Sequence, residues 1–270
     1  MIVDGRQIAS GILERVRTHI QDVGHEPVVR AIVIAPNAAT ESYLRIKTRK
    51  AEEAGMHLEL IRMENDASEA DIVHKIGLPG ADAIIMQLPL PPHVDERTVL
   101  DAIPLDKDAD VLSTAAYKRF LSDEPDAPLP PVVCAVAEVL GRANVTVGGK
   151  YVVVIGNGRL VGAPAQAWLA REGAEVSVLT QEDFNMKKDV LKEAEIVVSG
   201  AGSPHLVTAD LLSSGVVLID AGTSESNGAI VGDFDPACAD IASVFTPVPG
   251  GVGPVAVACL FGNAAKLLGR

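Results

Sequence analysis

Residues 151–180 read YVVVIGNGRLVGAPAQAWLAREGAEVSVLT, and this stretch decides the fold of the second half of the chain. An apolar run is followed by a glycine turn, a helical pattern and a second apolar run. Gly156 and Gly158 allow a tight turn that brings a phosphate close to backbone N–H groups at a helix start. Pro164 suits the first helical turn, where its missing N–H costs no hydrogen bond. The stretch predicts a dinucleotide-binding βαβ unit, although Gly162 follows Gly158 by four positions instead of the usual three.

Similar apolar runs, each bounded by turn residues, alternate with helical patterns through most of the chain. Strands are predicted at 28–35, 58–63, 81–90, 150–156, 174–180, 194–202 and 216–222, with 242–248 as a further candidate. Helices are predicted at Glu41–Ala54, Val133–Ala143 and Ala163–Glu172. Such alternation predicts an α/β fold in which helices cover parallel sheets.

One segment, LSDEPDAPLPP at 121–131, breaks the composition with its prolines and acidic residues. A chain of 270 residues suits two domains, and we place the boundary in this segment. The prediction is an N-terminal three-layer α/β catalytic domain over 1–128 and a Rossmann-type domain with a parallel sheet over 129–255. The C-terminal helix, 256–270, is predicted to pack back on the first domain.

The composition excludes several classes of protein. A formal net charge of −13 argues against nucleic-acid and anionic-membrane partners, since phosphate binding needs clustered Lys and Arg. The sequence shows no apolar signal core and no apolar run long enough for a membrane span, so we expect a cytoplasmic protein. Cys134, Cys238 and Cys259 lack the spacing of metal ligands, and we expect reduced thiols and no metal site.

The cofactor preference is sought at the end of the second strand of the βαβ unit, where an acidic residue usually holds the ribose hydroxyls. Here Leu179 and Thr180 are followed by Gln181, Glu182 and Asp183. No basic residue is present to pair with a 2′-phosphate, and Glu182 would repel one. The charges therefore favour NAD over NADP, while a merely solvated acidic loop remains an equal alternative.

The first half of the chain offers a Tyr–Lys pair and two polar segments. Tyr43 and Lys47 lie four positions apart and share one helical face. In a partly dry cleft such a lysine has a lowered pKa and can transfer protons, although a solvated helix face is the commoner reason for this pattern. Gln87 ends an apolar strand and points toward the crevice where parallel sheets bind ligands. The acidic segment 105–110 is typical of a helix cap or a solvated turn, and nothing in its spacing supports a metal site.

Taken together, the motifs resemble those of one family over essentially the whole chain. In order they are Tyr43-x-x-x-Lys47, QLPLP at 87–91, DKDAD at 106–110, GNGRLVGAP at 156–164, IDAGT at 219–223 and TPVPGGVGP at 246–254. This set is similar to the FolD-type methylenetetrahydrofolate dehydrogenase/cyclohydrolase family. The resemblance implies a homodimer that binds its folate substrate in a cleft between the two domains.

The resemblance also implies two reactions of one-carbon metabolism and purine biosynthesis. A nicotinamide cofactor, NAD or NADP, oxidises 5,10-methylenetetrahydrofolate to the methenyl cation, and hydrolysis of the cation gives 10-formyltetrahydrofolate. By the same resemblance Lys47 acts in the hydrolytic step and Gln87 keeps it productive. Asp110 accepts hydrogen bonds from the amino-pyrimidinone edge of the pterin, and Tyr43 stacks along that ring.

The resemblance also implies which residues bind the folate substrate and which bind the dinucleotide cofactor. Substrate contacts fall to Tyr43, Gln87, Leu88, Pro89, Asp110, Gly250, Gly251, Gly253 and Pro254. Cofactor contacts fall to Gly156, Asn157, Gly158, Arg159, Val161, Gly162, Thr180, Gly200, Ala201, Gly202, Gly222 and Thr223. Bare glycines would let the loop at 246–254 pass close to a flat ring, and its prolines would keep it ordered before binding.

Several positions depart from the family pattern. Asn157 and Gly158 stand where Arg-Ser is usual, Val111 replaces a glycine after the aspartate, Val132 interrupts a Pro-Cys-Thr-Pro run, and Val255-Ala256 replaces Met-Thr. The changes on the cofactor side leave NADP use open. They also leave two alternatives: a cyclohydrolase without the dehydrogenase, and a non-catalytic folate- or nucleotide-binding paralogue. A Rossmann dehydrogenase acting on another small substrate would explain the second domain only.

Overall fold

The computed structural model describes residues 1–182, 184–226 and 229–268. The chain divides into two compact units, one made of Met1–Ala9 with Val132–Ala256 and the other of Ser10–Pro131 with the segment from Val257 onward. The first residues join the later segment because Val3 N donates to Phe245 O at 2.9 Å. This grouping differs from the expected first domain, which began at residue 1. Within the described ranges, no helix has the length and apolarity to cross a membrane.

The unit that contains Ser10–Pro131 is built on a three-stranded sheet. Its strands are β1 (Val28–Ile34), β2 (His57–Met63) and β3 (Ala83–Met86), all parallel in the order β2-β1-β3. The predicted strand 81–90 ends early, at Met86, because the prolines beyond it cannot donate to the ladder. Gln87 makes the last bond of the strand, from its backbone N to Ile32 O at 2.9 Å.

The helices of the first half of the chain are α1 (Gly5–Ile20), α2 (Ala38–Ala54), α3 (Glu69–Ile76), α4 (Glu96–Asp101) and α5 (Thr114–Leu121). The ends of α2 are fixed by local chemistry. Asn37 caps its N-terminus by accepting a hydrogen bond from Thr40 N, and Gly55 ends it in the left-handed conformation at φ 79°. These caps fix the register of the helix that carries Tyr43 and Lys47.

The other unit is built on a five-stranded parallel sheet. Its strands are β4 (Tyr151–Ile155), β5 (Glu175–Leu179), β6 (Ile196–Ser199), β7 (Val217–Asp220) and β10 (Val244–Phe245), in the order β10-β7-β6-β4-β5. A short antiparallel hairpin of β8 (Ser224–Ser226) and β9 (Ala229–Val231) follows β7. This hairpin was not predicted, because three-residue, largely exposed strands show no alternation of apolar and polar residues.

The later helices are α6 (Pro131–Arg142), α7 (Gly162–Arg171), α8 (Phe184–Lys187) and α9 (Val252–Leu267), with 3₁₀ turns at Lys188–Lys192, Ala209–Leu211 and Pro236–Asp240. Strand β4, the first of this sheet along the chain, has β5 on one side and β6 on the other, so the chain reverses its direction of winding at the carboxyl end of β4. Open α/β sheets bind ligands at such a point. The predicted two-domain α/β fold with parallel sheets is confirmed.

Candidate functional site

Lys47 and Gln87 meet in one hydrogen bond. Lys47 projects from α2 and is buried, with 8% of its surface exposed. Its Nζ donates to Gln87 Oε1 at 3.0 Å, and Gln87 Nε2 donates to Leu88 O at 3.0 Å. Burial lowers the pKa of Lys47, and the charge of Asp110 raises it in part. The amine is therefore easier to deprotonate than an exposed lysine.

Asp110 is the third member of this cluster. Burial raises the pKa of its carboxyl to about 6, the charge of Lys47 lowers it, and that of Asp108 raises it. The mutual effect of Lys47 and Asp110 shows that the two charges interact. The structure thus brings Lys47, Gln87 and Asp110, which come from three distant segments, into one cluster.

Asp110 lies on a loop whose conformation is fixed by hydrogen bonds. The backbone N of Ile84 in β3 donates to Lys107 O at 2.8 Å, which docks the loop on the sheet. The buried carboxylate of Asp108 accepts from Leu112 N at 3.1 Å and from Ser113 N at 2.7 Å. Asp108 is therefore a turn-forming residue and not a solvated acid. Among the described residues, no group of three or more His, Cys, Asp or Glu side chains could hold a metal ion.

The other predicted residues of this unit lie nearby in the sequence. Tyr43 lies one helical turn before Lys47 and is half-buried, and this burial raises the pKa of its phenol, which stays protonated at neutral pH. Leu88 is half-buried and Pro89 is exposed, directly after Gln87. Apolar side chains and a phenol hydroxyl thus adjoin Lys47 and Gln87 along the chain.

The glycine loop at 246–254 belongs to the other unit and is tightly packed. Gly250 adopts a φ of 112°, which only glycine adopts without strain. A side chain at Gly251 would lie 2.7 Å from Pro247 O, and one at Gly5 would overlap the carbonyl of Gly251. Gly5 N also donates to Gly250 O at 2.9 Å. The first residues of the chain therefore hold this loop in place.

Helix α9 begins at Val252, within the same motif. Gly253 and Pro254 consequently occupy its first turn, where the proline costs no intrahelical bond. Both residues are half-buried. The motif is thus a loop followed by a helix start, and not a loop throughout.

The glycines after β4 and β6 form a closely packed edge. A side chain at Gly162 would overlap the carbonyl of Gly156, and one at Gly156 would lie 2.8 Å from Gly200 O. A side chain at Gly200 would in turn collide with Val161. By contrast, Gly158 has open space around it. This arrangement fits a dinucleotide, because helix and strand pack closely while the turn leaves backbone accessible to a pyrophosphate.

The remaining predicted cofactor residues lie at the carboxyl ends of the strands of the same sheet. Asn157 and Arg159 are exposed in the turn after β4, and Thr180 is half-buried after β5. Gly222 is buried and Thr223 exposed after β7. Glu182 is exposed, and Asp183 lies outside the described residues. Of the two described residues directly after Thr180, Gln181 is uncharged and Glu182 is acidic.

Asp233 is a residue that the sequence reasoning missed. It is wholly buried and accepts four hydrogen bonds, from Ser199 Oγ and from the backbone N of residues 201, 202 and 203. These residues include the predicted cofactor loop at Gly200–Gly202. An aspartate between Gly232 and Phe234 shows no sequence signal for this role, because its donors lie some thirty positions earlier.

Asn263 is a second missed residue. Its Nδ2 donates to Ala109 O at 2.9 Å and to Leu129 O at 2.8 Å. The first of these bonds fixes the residue before Asp110. A lone amide in the largely apolar helix segment VAVACLFGNAAKL is a signal that could have found it, since a buried amide needs partners.

Comparison with known proteins identifies the family of this chain. Residues 3–110 match the model of the tetrahydrofolate dehydrogenase/cyclohydrolase catalytic domain, and residues 130–270 match that of the NAD(P)-binding domain of the same enzymes. The chain is 35% identical to the bifunctional protein FolD of Lacticaseibacillus casei, over 99% of this chain and 97% of the relative.

Solved structures agree. The bifunctional FolD enzyme of Campylobacter jejuni superposes with a TM-score of 0.94 at 27% identity, covering 100% of this chain and 98% of that one. The FolD enzyme of Trypanosoma brucei, solved with NADP and an inhibitor, gives 0.94 at 30% identity, covering 100% and 97%. The resemblance seen in the motifs is confirmed, and the chain belongs to the tetrahydrofolate dehydrogenase/cyclohydrolase family.

Proposed function

We propose that this chain carries out both reactions of its family, the oxidation of 5,10-methylenetetrahydrofolate and the hydrolysis of the methenyl product, with Lys47, Gln87, Asp110 and Tyr43 as its catalytic set. The observation that carries the proposal is the hydrogen bond of 3.0 Å from the buried Lys47 Nζ to Gln87 Oε1, beside the charge of Asp110. A buried lysine that is paired with a neutral amide has a lowered pKa, which suits proton transfer near neutrality.

Hydrolysis needs a base and then an acid at the same place. Water adds to the methenyl carbon, and the neutral Lys47 amine takes the proton that the water oxygen releases. The bond from this carbon to N5 then breaks as the Lys47 ammonium returns a proton to N5. The hydroxyl on the carbon loses its own proton to solvent, and the C=O that forms leaves a formyl group on N10. The cation and one water thus yield neutral product and one proton. Gln87 Oε1 accepts an N–H from Lys47 in either protonation state and keeps Nζ in place.

Substrate recognition falls to Asp110 and Tyr43. The pterin presents adjacent N–H donors, and a single carboxylate can accept both as a fork. A neutral lysine is also tolerated beside the methenyl cation, whereas an ammonium would repel it. Leu88, Pro89, Gly250, Gly251, Gly253 and Pro254 are proposed as further substrate-binding residues.

The nicotinamide cofactor, when bound, accepts the hydride that the methylene carbon loses. We propose that residues 156–162 and 200–202, with Thr180, Gly222 and Thr223, hold this dinucleotide through backbone groups at the strand ends. Preference for NAD over NADP is supported by Glu182, which would repel a 2′-phosphate, and by Asn157 in place of the usual arginine. A titration of both dinucleotides decides: tighter binding of NADP would overturn the preference.

The quaternary structure and location are also proposals. The family resemblance supports a homodimer, and light scattering of the purified protein measures its mass directly. A scattering mass near 28.2 kDa, that of one chain, would contradict the dimer. A cytoplasmic location is proposed as well, and fractionation of the host cell tests it.

The principal experiment compares two lysines of helix α2. Lys47→Met is expected to lower the rate of methenyltetrahydrofolate hydrolysis by about 100-fold or more, because positioned acid–base groups contribute that much. Lys50→Met is the matched control, since Lys50 lies on the same helix and pairs with Glu53 at 2.6 Å. An unchanged rate in Lys47→Met would contradict the assigned role.

The same assays address the alternatives. Wild-type protein given methylenetetrahydrofolate and either dinucleotide should produce reduced nicotinamide, which absorbs in the near ultraviolet. Hydrolysis without any such signal would favour the cyclohydrolase-only alternative. Binding of folate without either reaction would favour the non-catalytic paralogue.

A further inference from the structure

Asp233 joins two loops of the unit that carries the five-stranded sheet. Its Oδ2 accepts from Ser199 Oγ at 2.6 Å, from Ala201 N at 2.8 Å and from Gly202 N at 3.3 Å. Its Oδ1 accepts from Ser203 N at 2.7 Å. The carboxylate therefore binds three successive backbone N–H groups of the loop after β6 and the hydroxyl that precedes them.

The same carboxylate fills the space beside the loop after β7. A side chain at Gly222 would overlap both oxygens of Asp233, so the glycine is needed for the carboxylate to enter. Asp220 has the corresponding relation to Gly232, where a side chain would overlap Asp220 Oδ2. The two loops at the carboxyl edge of the sheet are thus fitted to two buried carboxylates.

Asp233 cannot itself touch a ligand, because it is 0% exposed and its oxygens are occupied by protein donors. No lysine or arginine compensates its buried charge in the described contacts, and the four hydrogen bonds supply that compensation instead. Such an arrangement is rigid, since moving the loop would leave a buried charge without donors. Asp233 can therefore act only by fixing the conformation of the loop after β6.

We propose that Asp233 is a positioning residue for dinucleotide binding, which holds the loop at 200–203 and the turn at Gly222 in the conformation that the cofactor requires. This inference rests on the proposed function, because it takes these two loops as the cofactor side of the enzyme. It adds a residue that makes no contact with the cofactor and that lies far from both loops in the sequence.

The test is Asp233→Asn, with Asp235→Asn as the matched control. The amide has the same shape but only one acceptor oxygen, so its NH₂ must face an N–H donor. We expect the Kd for the reduced dinucleotide, read by fluorescence titration, and the KM for the oxidised one to rise ten-fold or more. Asp235 is a half-buried N-cap that accepts from Ala237 N at 2.9 Å and lies 3.5 Å from His205 Nδ1. Asparagine can replace it as a cap, so the control should stay within two-fold.

A comparison of the two reactions separates positioning from general damage. Hydrolysis consumes no dinucleotide, so the ratio of hydrolysis to oxidation at limiting dinucleotide should rise about ten-fold in Asp233→Asn. An unchanged Kd, or an equal loss of both reactions, would overturn the proposal. If the wild type catalyses neither reaction, the proposed function fails, while the dinucleotide Kd of the variant still tests the positioning role.

A second variant covers the case in which Asp233→Asn does not fold. Ser199→Ala removes one of the four hydrogen bonds and leaves the charge with its three backbone donors. Dinucleotide binding should weaken about five-fold, in line with one net hydrogen bond. Binding equal to that of the wild type in Ser199→Ala would count against the proposal.

Discussion

At the scale of single residues, Asp110 holds its charge where burial disfavours it. The carboxyl has a pKa of about 6 instead of 3.8. An acid whose pKa is raised on folding stabilises the folded state fully below its ordinary pKa, and this contribution is lost as the pH rises through about 6. The residue is thus retained at some cost to stability at neutral pH, as expected for a group that binds a ligand.

The first prediction concerns ligand binding at low pH. Below about pH 6 the protonated Asp110 can no longer accept two hydrogen bonds, so the Kd for tetrahydrofolate should rise several-fold between pH 7 and pH 5. In Asp110→Asn the Kd should be higher at pH 7 and nearly independent of pH. Titrations at four pH values measure both. An equal slope in wild type and variant would show that another group titrates.

Val111 follows Asp110 and adopts an unfavourable conformation. Its φ of 59° lies in the left-handed region, which is strained for a β-branched residue by roughly 1–2 kcal/mol. The side chain is nevertheless buried, at 3% exposure, and that burial offsets the strain. This accounts for a valine where the family usually has glycine.

The second prediction is that Val111→Gly and Val111→Ala rank in stability in the reverse of the usual order. Glycine is usually worse than alanine when it replaces valine, but here Val111→Gly removes the strain that Val111→Ala keeps. The methyl group that distinguishes alanine from glycine contributes only ~0.8 kcal/mol by burial, less than the strain. We therefore expect Val111→Gly to be the more stable variant in urea unfolding. If Val111→Ala were the more stable variant, the strain at residue 111 would be contradicted.

At the scale of elements, helix α9 helps to shape the site through Asn263. The two carbonyls that it binds, of Ala109 and Leu129, lie in different segments of the chain. The helix thereby fixes both the loop that carries Asp110 and the segment that leads into α6. One amide in an apolar helix thus fixes the conformation of two segments.

The third prediction follows from these two bonds. Asn263→Ala should lower the free energy of unfolding by about 2 kcal/mol, at roughly 1 kcal/mol for each bond. Asn263→Asp should be worse, because a carboxylate oxygen would face the two carbonyls. Lys266→Ala, at an exposed position of the same helix, is the control for urea unfolding. A smaller loss in Asn263→Asp than in Asn263→Ala would show that these bonds do not form.

Most elements could be predicted from the sequence, and the misses have physical reasons. The strands around β4 are apolar runs bounded by glycines, so hydrophobic pattern alone located them. The hairpin of β8 and β9 was missed because its strands are short and largely exposed. Lys47, Gln87 and Asp110 were found through motif resemblance. Asp233 and Asn263 were not, because their roles depend on partners that are distant in the sequence.

At the scale of the whole molecule, stability should depend on pH through Asp220. This buried carboxyl accepts from Gly222 N and Phe234 N, each at 3.0 Å. Burial, together with the neighbouring charge of Asp233, raises its pKa to about 7, although the hydrogen bonds from Phe234 N and Gly222 N lower it in part. The folded state therefore keeps a proton that the unfolded chain releases between about pH 4 and pH 7.

The fourth prediction is a difference between two pH profiles. Because the folded-state pKa is raised, the contribution of Asp220 is complete below pH 4 and is lost as the pH rises through 7. The wild type should thus lose more unfolding free energy between pH 5 and pH 8 than Asp220→Asn does. Urea unfolding at these values measures it, with the exposed Asp240→Asn as control. Parallel profiles in wild type and Asp220→Asn would show that Asp220 does not cause the loss of stability.

The contacts of Val3 with Phe245 and of Gly5 with Gly250 have a consequence for biosynthesis. Val3 and Gly5 leave the ribosome long before Phe245 and Gly250, because nearly the whole chain lies between them. The unit that they close therefore cannot finish folding before residue 250 has left the ribosome. Until residue 250 has emerged, the β-strands of this unit lack their last neighbour, and a chaperone that shields nascent chains would meet them in that state.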